Sequence, residues 1–243
     1  MLITSLKNEH IKELAKLKDK KTRDELGLFL VETKHLVLEA DRAGLIEELI
    51  LEKDEIFPLN VKTTYVTKEI LKKISSLESP SNVMAVVKKR NNAQELGEKI
   101  LILDKIQDPG NLGTIIRSAV AFNIDTIICS SDTVDLYNPK VVRASQGMIF
   151  HIPVIVGNIK EIISKLKEDS YKIIGTKVSC GSDVRTSSIY SHFALIIGNE
   201  GQGMSKEIED MCDEHLYIKM NGNCESLNAS VAASILMYEI NNK

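Results

Sequence analysis

The sequence predicts an α/β protein in two parts, the second built on a parallel sheet. Three observations lead there. Residues 1–88 alternate strand-like and helical patterns. Residues 89–98 (KRNNAQELGE) are polar and weakly patterned, which marks a linker. From residue 99 onward, short and nearly continuous apolar runs have helical patterns between several of them. Strands that are apolar on both faces belong to a parallel sheet covered by helices. The expected parts are therefore 1–88 and 99–243, and 243 residues fit one large or two small domains at roughly 100–200 residues each.

The elements follow in order. Leu6, Ile11, Leu14 and Leu17 recur at helical spacing between lysines, so residues 5–20 read as helix. Phe29 to Val31 is a short strand, and Lys34 to Ala43 is a second helix ended by Gly44. Ile46 to Leu51 and the β-branched and aromatic run Thr63 to Val66 are strands. Thr67 starts a helix, and Val83 to Val87 is a further strand. In the second part the strands are Ile100 to Leu103, Thr126 to Cys129, Val154 to Val156, Tyr171 to Ile174 and Ala194 to Ile197. A short strand near Leu216 precedes a long small-residue helix, Ala229 to Ile240.

Hydrophobic residues make up 43% and charged residues 27% of the chain, a globular balance that excludes a disordered polymer. No apolar run approaches the roughly 18 residues of a membrane-spanning helix. Charge begins at Lys7, so no signal peptide is expected. Cys129, Cys180, Cys212 and Cys224 form no Cys-x-x-Cys pair, and no metal-ligand cluster is visible. Neither a zinc site nor a disulfide framework is expected, and the reducing cytoplasm is the expected compartment. The net charge of −3 does not announce a nucleic-acid binder. Residues 1–24 nevertheless hold seven basic groups, Arg23 among them, against four acids. Such a run is either a solvated helix face or a phosphate-binding surface. The five histidines show no pairing pattern.

Three segments carry candidate chemistry. The first is DPGNLGTIIR, from Asp108 to Arg117. Pro109 and Gly110 make a turn after a strand, and Asn111 suits a helix N-cap. Gly113 and Arg117 are four residues apart, on one helix face. A capped helix with a surface arginine explains the segment; so does a ligand site with room over Gly113. The second runs from Phe193 to Ser205 and holds Gly198, Glu200, Gly201 and Gly203. Three glycines are more than a turn needs and permit close backbone approach to a ligand. Their spacing is Gly-x-x-Gly-x-Gly, and they sit late in the chain. Both facts exclude the dinucleotide fingerprint of a nicotinamide dehydrogenase, and no Gly-Lys-Ser/Thr follows to make a Walker loop. The third runs from Leu216 to Ser230, where Ser226 can cap the last helix and Ser226 and Asn228 can also hold a substrate.

Taken together and in this order, N-x-G-x-x-x-R, G-N-E-G-x-G-M-S and E-S-L-N-x-S resemble the three signature motifs of the SpoU/TrmH family of RNA 2′-O-ribose methyltransferases. The resemblance spans about residues 100–240. Asn138 to Gly147 is similar to the family's connecting helix. Residues 1–88 resemble its L30e-like substrate-binding extension, although Thr33 and Ser81-Asn82 stand where many relatives carry glycine or Gln-Gly.

The resemblance implies a C-terminal α/β domain whose parallel sheet holds a deep trefoil knot. It implies a cytoplasmic homodimer formed through that domain, with the active site at the subunit interface, and no metal. S-adenosylmethionine would bind in the knot near Gly198, Ile218 and Leu227, with Thr176, Gly201, Gly203 and Met220 lining the same pocket. Arg117 would clamp the phosphate and polarise the ribose hydroxyl. An arginine resists deprotonation, with a pKa above about 12, which argues against a base role. Asn111 would orient the hydroxyl or the arginine, Glu200 would hold Arg117 or the ribose, and Ser226 and Asn228 would complete the pocket. The implied substrate is RNA, because only RNA offers a 2′-hydroxyl. Ribosomal RNA of the 23S type is favoured over transfer RNA. A non-catalytic RNA-binding relative is the alternative, but it would be expected to lose some of Asn111, Arg117, Glu200, Ser226 and Asn228, and all five are present.

Overall fold

The computed structural model describes residues 1–90, 96–188 and 190–241. Residues 91–95 of the expected linker lie outside the described residues. The first elements are β1 (Leu2–Ile3), α1 (Glu9–Lys16), α2 (Lys20–Leu26), β2 (Leu28–Glu32), α3 (Lys34–Arg42), β3 (Ile46–Glu52), β4 (Thr63–Val66), α4 (Lys68–Ile74) and β5 (Val83–Lys88). There follow β6 (Lys99–Leu103), α5 (Pro109–Ala121), β7 (Thr126–Ser130), α6 (Pro139–Ala144), β8 (Val154–Gly157), α7 (Ile159–Glu168), β9 (Lys172–Thr176), β10 (Ser182–Asp183), β11 (Phe193–Ile197), α8 (Lys206–Glu209), β12 (Glu214–Tyr217) and α9 (Ala229–Asn241). The chain divides into two compact units: Met1–Asn91 with Asp135–Phe150, and Asn92–Val134 with His151–Lys243.

The first unit is a mixed sheet of order β1-β4-β3-β5-β2 in which β5 runs antiparallel to both neighbours. Helices α1 and α4 bury Ile11, Leu14, Ile70, Leu71 and Ile74 in one apolar cluster with Ile50, Val66 and Met84 of the sheet. The Asn8 side chain caps α1 by accepting from His10 N at 3.0 Å. Gly27 and Gly44 end α2 and α3 with φ of +66° and +67°, the left-handed geometry glycine adopts without penalty. The helix read over residues 5–20 is shorter, Glu9–Lys16, and ends in a turn at Leu17–Asp19 before α2 begins.

Buried charges in this unit are engaged within it, although among the described residues Arg23 Nε has no hydrogen-bond partner. Glu48 accepts from Thr64 Oγ1 at 2.6 Å and pairs with His10 at 3.0 Å and Lys62 at 3.2 Å. Arg23, one of the seven basic groups of residues 1–24, is 4% exposed. It donates to the carbonyls of Leu17 and Lys18 at 2.8 and 2.6 Å and pairs with Asp135 at 2.5 Å. It therefore adds no charge to the surface. Residues 135–150, read as part of the C-terminal domain, group with this unit. Phe29 lies 4.7 Å from the Tyr137 ring and 6.2 Å from the Phe150 ring, and Lys89 sits over Tyr137. Gly147 (φ +85°) fits where a Cβ would stand 2.6 Å from Glu39 Cγ.

The second unit is a seven-stranded sheet of order β10-β12-β9-β11-β6-β7-β8, parallel throughout. The predicted parallel sheet is present, and its central strands β6, β7 and β11 are buried apolar runs the sequence marks. Helix α7 places Ile159, Ile163 and Leu166 against Ile100, Ile102, Ile128, Ile173 and Ile196. Strands β9 and β10 are consecutive in the chain, yet β12 lies between them: Thr176 and Ser182 both register with Leu216. Residues 177–181 cross from one side of β12 to the other. At Gly181 the crossing is so close that a Cβ would stand 2.4 Å from the His215 carbonyl oxygen.

Candidate active site

In a parallel sheet every carboxyl end lies along one edge, where ligands of open α/β sheets bind. The ends of β6, β9, β11 and β12 deliver Asp104, Thr176, Gly198 and Ile218 to that edge. Asp104, 1% exposed, receives Ser205 N at 2.9 Å and Ser205 Oγ at 3.1 Å on Oδ2. It thereby anchors the far end of the glycine loop to β6. Thr176 Oγ1 donates to the Ile196 carbonyl at 2.8 Å, joining β9 to β11.

The glycine loop is a tight hairpin. Asn199 and Gly203 exchange two backbone hydrogen bonds of 2.9 Å. The Asn199 side-chain oxygen accepts from Gly201 N and Gln202 N at 2.9 and 3.1 Å. At Gly198 a Cβ would meet Met204 N at 2.2 Å and Gly203 C at 2.3 Å, so only glycine fits there. Gly203 has φ of +70° and open space where a Cβ would stand.

Helix α5 is capped by Asp108, whose Oδ1 accepts from Asn111 N at 2.8 Å, with Pro109 in the first turn. The cap is therefore Asp108 and not Asn111, because an Asp before a proline at the first helical position satisfies the free N–H groups. This leaves the Asn111 side chain for other work. Its Nδ2 donates to Glu200 Oε1 at 3.0 Å, and its Oδ1 accepts from Asn228 Nδ2 at 2.9 Å. Asn228 in turn caps α9, accepting on Oδ1 from Ser230 N at 2.9 Å, Val231 N at 3.3 Å and Ser230 Oγ at 2.6 Å. The capping role read for Ser226 thus belongs to Asn228, and Ser226 faces the cavity described next.

Glu200 also accepts from the backbone N–H groups of Gln107 and Asp108, each at 3.2 Å. Partial burial raises its pKa, but the bonds from Asn111 and from the backbone of Glu200, Asp108 and Gln107 outweigh that and hold the carboxyl below its ordinary range. One continuous chain, Glu200–Asn111–Asn228, therefore links residues from all three motifs.

Around it lie two adjoining cavities. The first, about 610 Å³, is lined by Thr176, Gly198, Gly201, Gly203, Ile218, Met220 and Leu227, every residue assigned to the cofactor, with Ser226 and Glu200 at its margin. The second, about 770 Å³, is lined by Gln107, Asp108, Asn111, Glu200, Ser226 and Asn228 among others. Glu200, Ser226 and Leu227 belong to both. Arg117 lines neither. It is exposed on α5, and among the described residues no hydrogen-bond or ion-pair partner of its guanidinium is found. Of the two expected partners of Glu200, Arg117 or the ribose, the Arg117 of its own chain is not bonded to it, and Glu200 accepts from Asn111.

Sequence reasoning missed Asp104, Asn199 and the capping Asp108. The signal for Asp108 was the Asp-Pro pair itself. For Asp104 there was none, since its partner Ser205 is 101 residues away. Among the described residues no group of three or more His, Cys, Asp or Glu side chains is arranged to hold a metal ion. No helix of the described residues is long and apolar enough to cross a membrane.

The SpoU rRNA Methylase family model matches residues 98–238, and the MRM3-like substrate binding domain model matches residues 8–85. The 23S rRNA (guanosine(2553)-2′-O)-methyltransferase RlmP of Bacillus subtilis is 35% identical over 243 residues, covering 98% of each chain. Among solved structures, the AdoMet-bound rRNA methyltransferase from Sinorhizobium meliloti superposes with a TM-score of 0.88 at 28% identity, covering 99% of this chain and 97% of that one. The SpoU methyltransferase AviRb from Streptomyces viridochromogenes, in complex with AdoMet, gives 0.87 at 25% identity over 96% and 97% of the two chains.

Proposed function

This chain belongs to the SpoU rRNA methylase family, and from that premise we propose that it transfers the methyl group of S-adenosylmethionine to a ribose 2′-hydroxyl of 23S ribosomal RNA. The observation that carries this reading is the Glu200–Asn111–Asn228 chain, which sits where the two cavities share residues. One cavity suits a cofactor and the other the nucleotide that receives the methyl group.

The first cavity fits the cofactor. Its walls are apolar at Ile197, Ile218, Leu227 and Leu236, and its volume lies within the roughly 300–1,000 Å³ of small-molecule sites. At Gly203 backbone alone faces open space, a cradle any Cβ would fill. When bound, the cofactor supplies an electrophilic methyl group on a sulfonium. The chain's own contribution is placement and electrostatics. Asn111 is held at both ends of its amide, so its orientation is set before substrate arrives. Ionised Glu200 fixes the turn at Gln107–Asp108 through two N–H groups.

Arg117 stands outside both cavities, which favours a homodimer in which Arg117 of a second copy completes each site. There it clamps the phosphate beside the ribose and stabilises the developing oxyanion, a role suited to its planar fork. The crossing of residues 177–181 over β12 supports reading the second unit as a deep trefoil knot, with β12 threaded through the loop that β9 and β10 close. The first unit is read as an L30e-like domain that engages the RNA, and the reducing cytoplasm as the compartment.

The test is transfer of labelled methyl from S-adenosylmethionine to total RNA, comparing the native chain with Arg117→Ala. The RNA is size-separated and digested to nucleosides. Label in 2′-O-methyl nucleosides of the 23S fraction, lost in the variant, is the expected result. Label on a base, or in transfer RNA alone, overturns the assignment.

A further inference from the structure

The lysine run near the N-terminus has no role in the active site. Helix α1 with its flanks (residues 7–18) and helix α4 (residues 68–74) pack side by side with their apolar sides in one core cluster. What they turn outward is basic. Lys7, Lys16, Lys18, Lys68, Lys72 and Lys73 are exposed, and among the described residues none of the six is in an ion pair. Lys12 is neutralised by Glu9 at 2.7 Å. Against these six stand Glu13 and Glu69, so this face carries a charge of +4 on a chain whose net charge is −3. Two of the lysines reach across the seam: Lys18 Nζ donates to the Lys73 carbonyl at 2.8 Å, and Lys73 Nζ donates to the Leu6 carbonyl at 2.7 Å. The ammonium groups of Lys18 and Lys73 are thereby held at the seam between the two helices.

Resting on the reading of the protein as an RNA methyltransferase, we propose that the α1–α4 face docks the phosphate backbone of folded RNA. The chemistry decides between partners. Lysines are point charges that attract phosphate but lack the arginine fork that reads base edges. Apart from His10, which is engaged by Glu48, neither helix carries an aromatic ring. A platform for stacking splayed single-stranded bases is therefore lacking. The apolar sides of both helices are consumed in the core, so neither helix has an apolar face to insert into a lipid surface, although Leu6 at the seam is half-exposed. A surface of this kind sets position and on-rate, not sequence.

The test uses the full chain and a transcript of bacterial 23S rRNA. Binding is measured between 50 and 300 mM salt for the native protein and for two fourfold variants. One carries Lys7→Glu, Lys16→Glu, Lys68→Glu and Lys72→Glu; the other carries Arg at the same four positions. These four lysines hold no backbone carbonyl in the structure, so the fold is spared, and an unchanged circular-dichroism spectrum and urea midpoint verify that. The Glu variant is expected to bind RNA roughly tenfold or more weakly, with a salt slope flatter by about 0.7–0.9 for each phosphate that is no longer neutralised. The Arg variant is expected to keep both. An unchanged affinity and slope in the Glu variant overturns the proposal. Tighter binding of the native chain to phosphatidylglycerol vesicles than to the transcript overturns it in favour of a membrane. Failure of the native chain to methylate RNA sinks the reading of the active site and is separate from these binding curves.

Discussion

Arg23 and Arg117 show how differently the two units use the same side chain. Arg23 lies inside the first unit, with two carbonyls and Asp135 around its guanidinium. Arg117 stands on the surface of the second with no partner among the described residues. The contrast extends beyond the pair. The first unit spends its buried polar groups on itself: Glu48 on His10, Lys62 and Thr64, and Glu32 on Ser75 and Ser76. The second unit lines its polar groups along the carboxyl edge of a parallel sheet and leaves open volume between them. A guanidinium whose two terminal nitrogens are already engaged holds a fold together. One that is left free is available to a ligand.

The largest effect on stability is expected from Arg23→Ala, because it strands Asp135 and two carbonyls. The loss should be about 3–5 kcal/mol in a urea titration, the range for breaking a buried ion pair. A loss below about 1 kcal/mol, the range of a surface pair, would erase the distinction between the two arginines. Arg117→Lys should do the reverse. Turnover should fall by about 10²–10³, the range for removing a positioned oxyanion donor, while the urea midpoint and S-adenosylmethionine affinity stay unchanged. Near-normal turnover in that variant would end the clamp role.

Gly198→Ala acts on neither arginine but on the loop. The new Cβ would overlap backbone at Met204 and Gly203. Backbone cannot swing aside as a side chain does, so overpacking of about 1–3 kcal/mol should appear as roughly tenfold weaker cofactor binding. Calorimetric affinity equal to the native value would show that the loop moves freely.

Smaller still is the expected response to pH. Glu200 has a folded pKa held below its ordinary 4.5 by Asn111 and backbone N–H groups. Its contribution is therefore fully present above the unfolded value and is lost only as pH falls through the lower, folded one. Turnover between pH 5 and 8 should show no acid limb that disappears in Glu200→Gln. The least perturbing probe is thiol labelling. Burial pushes the Cys129 thiol up to about 12 and the Cys212 thiol up to about 11, so both should stay unreactive at pH 8. Exposed Cys180 and Cys224 should react, and bound cofactor should protect Cys180, which lines the first cavity. Equal labelling of Cys180 with and without cofactor would put the cofactor elsewhere.

Most strands and helices were legible because their signals are local: the apolar runs of β6, β7 and β11, the periodicity of α1, and the β-branched residues of β4. The two-residue strands β1 and β10 were not, since a pair of residues has no period. The burial of Arg23 was also hidden. Its partner Asp135 is 112 residues away, and a charge run looks the same whether or not one member turns inward. At the site, motif spacing pointed to the residues but not to their bonds. Asn111 and Asn228 were both read as pocket residues, yet their contact at a separation of 117 residues depends on the packing of α5 against α9. The place of Arg117, outside both cavities, depends on which way one face of α5 turns, and no motif records that.

That separation also has a temporal meaning. During translation at roughly 5–20 residues per second, Asn111 emerges about 6–23 s before Asn228, which lies 117 residues later. Until residues 226–236 follow, the first cavity lacks Ser226, Leu227 and Leu236, so the nascent chain has neither the proposed cofactor pocket nor the Glu200–Asn111–Asn228 chain. Synthesis itself keeps the incomplete protein inert.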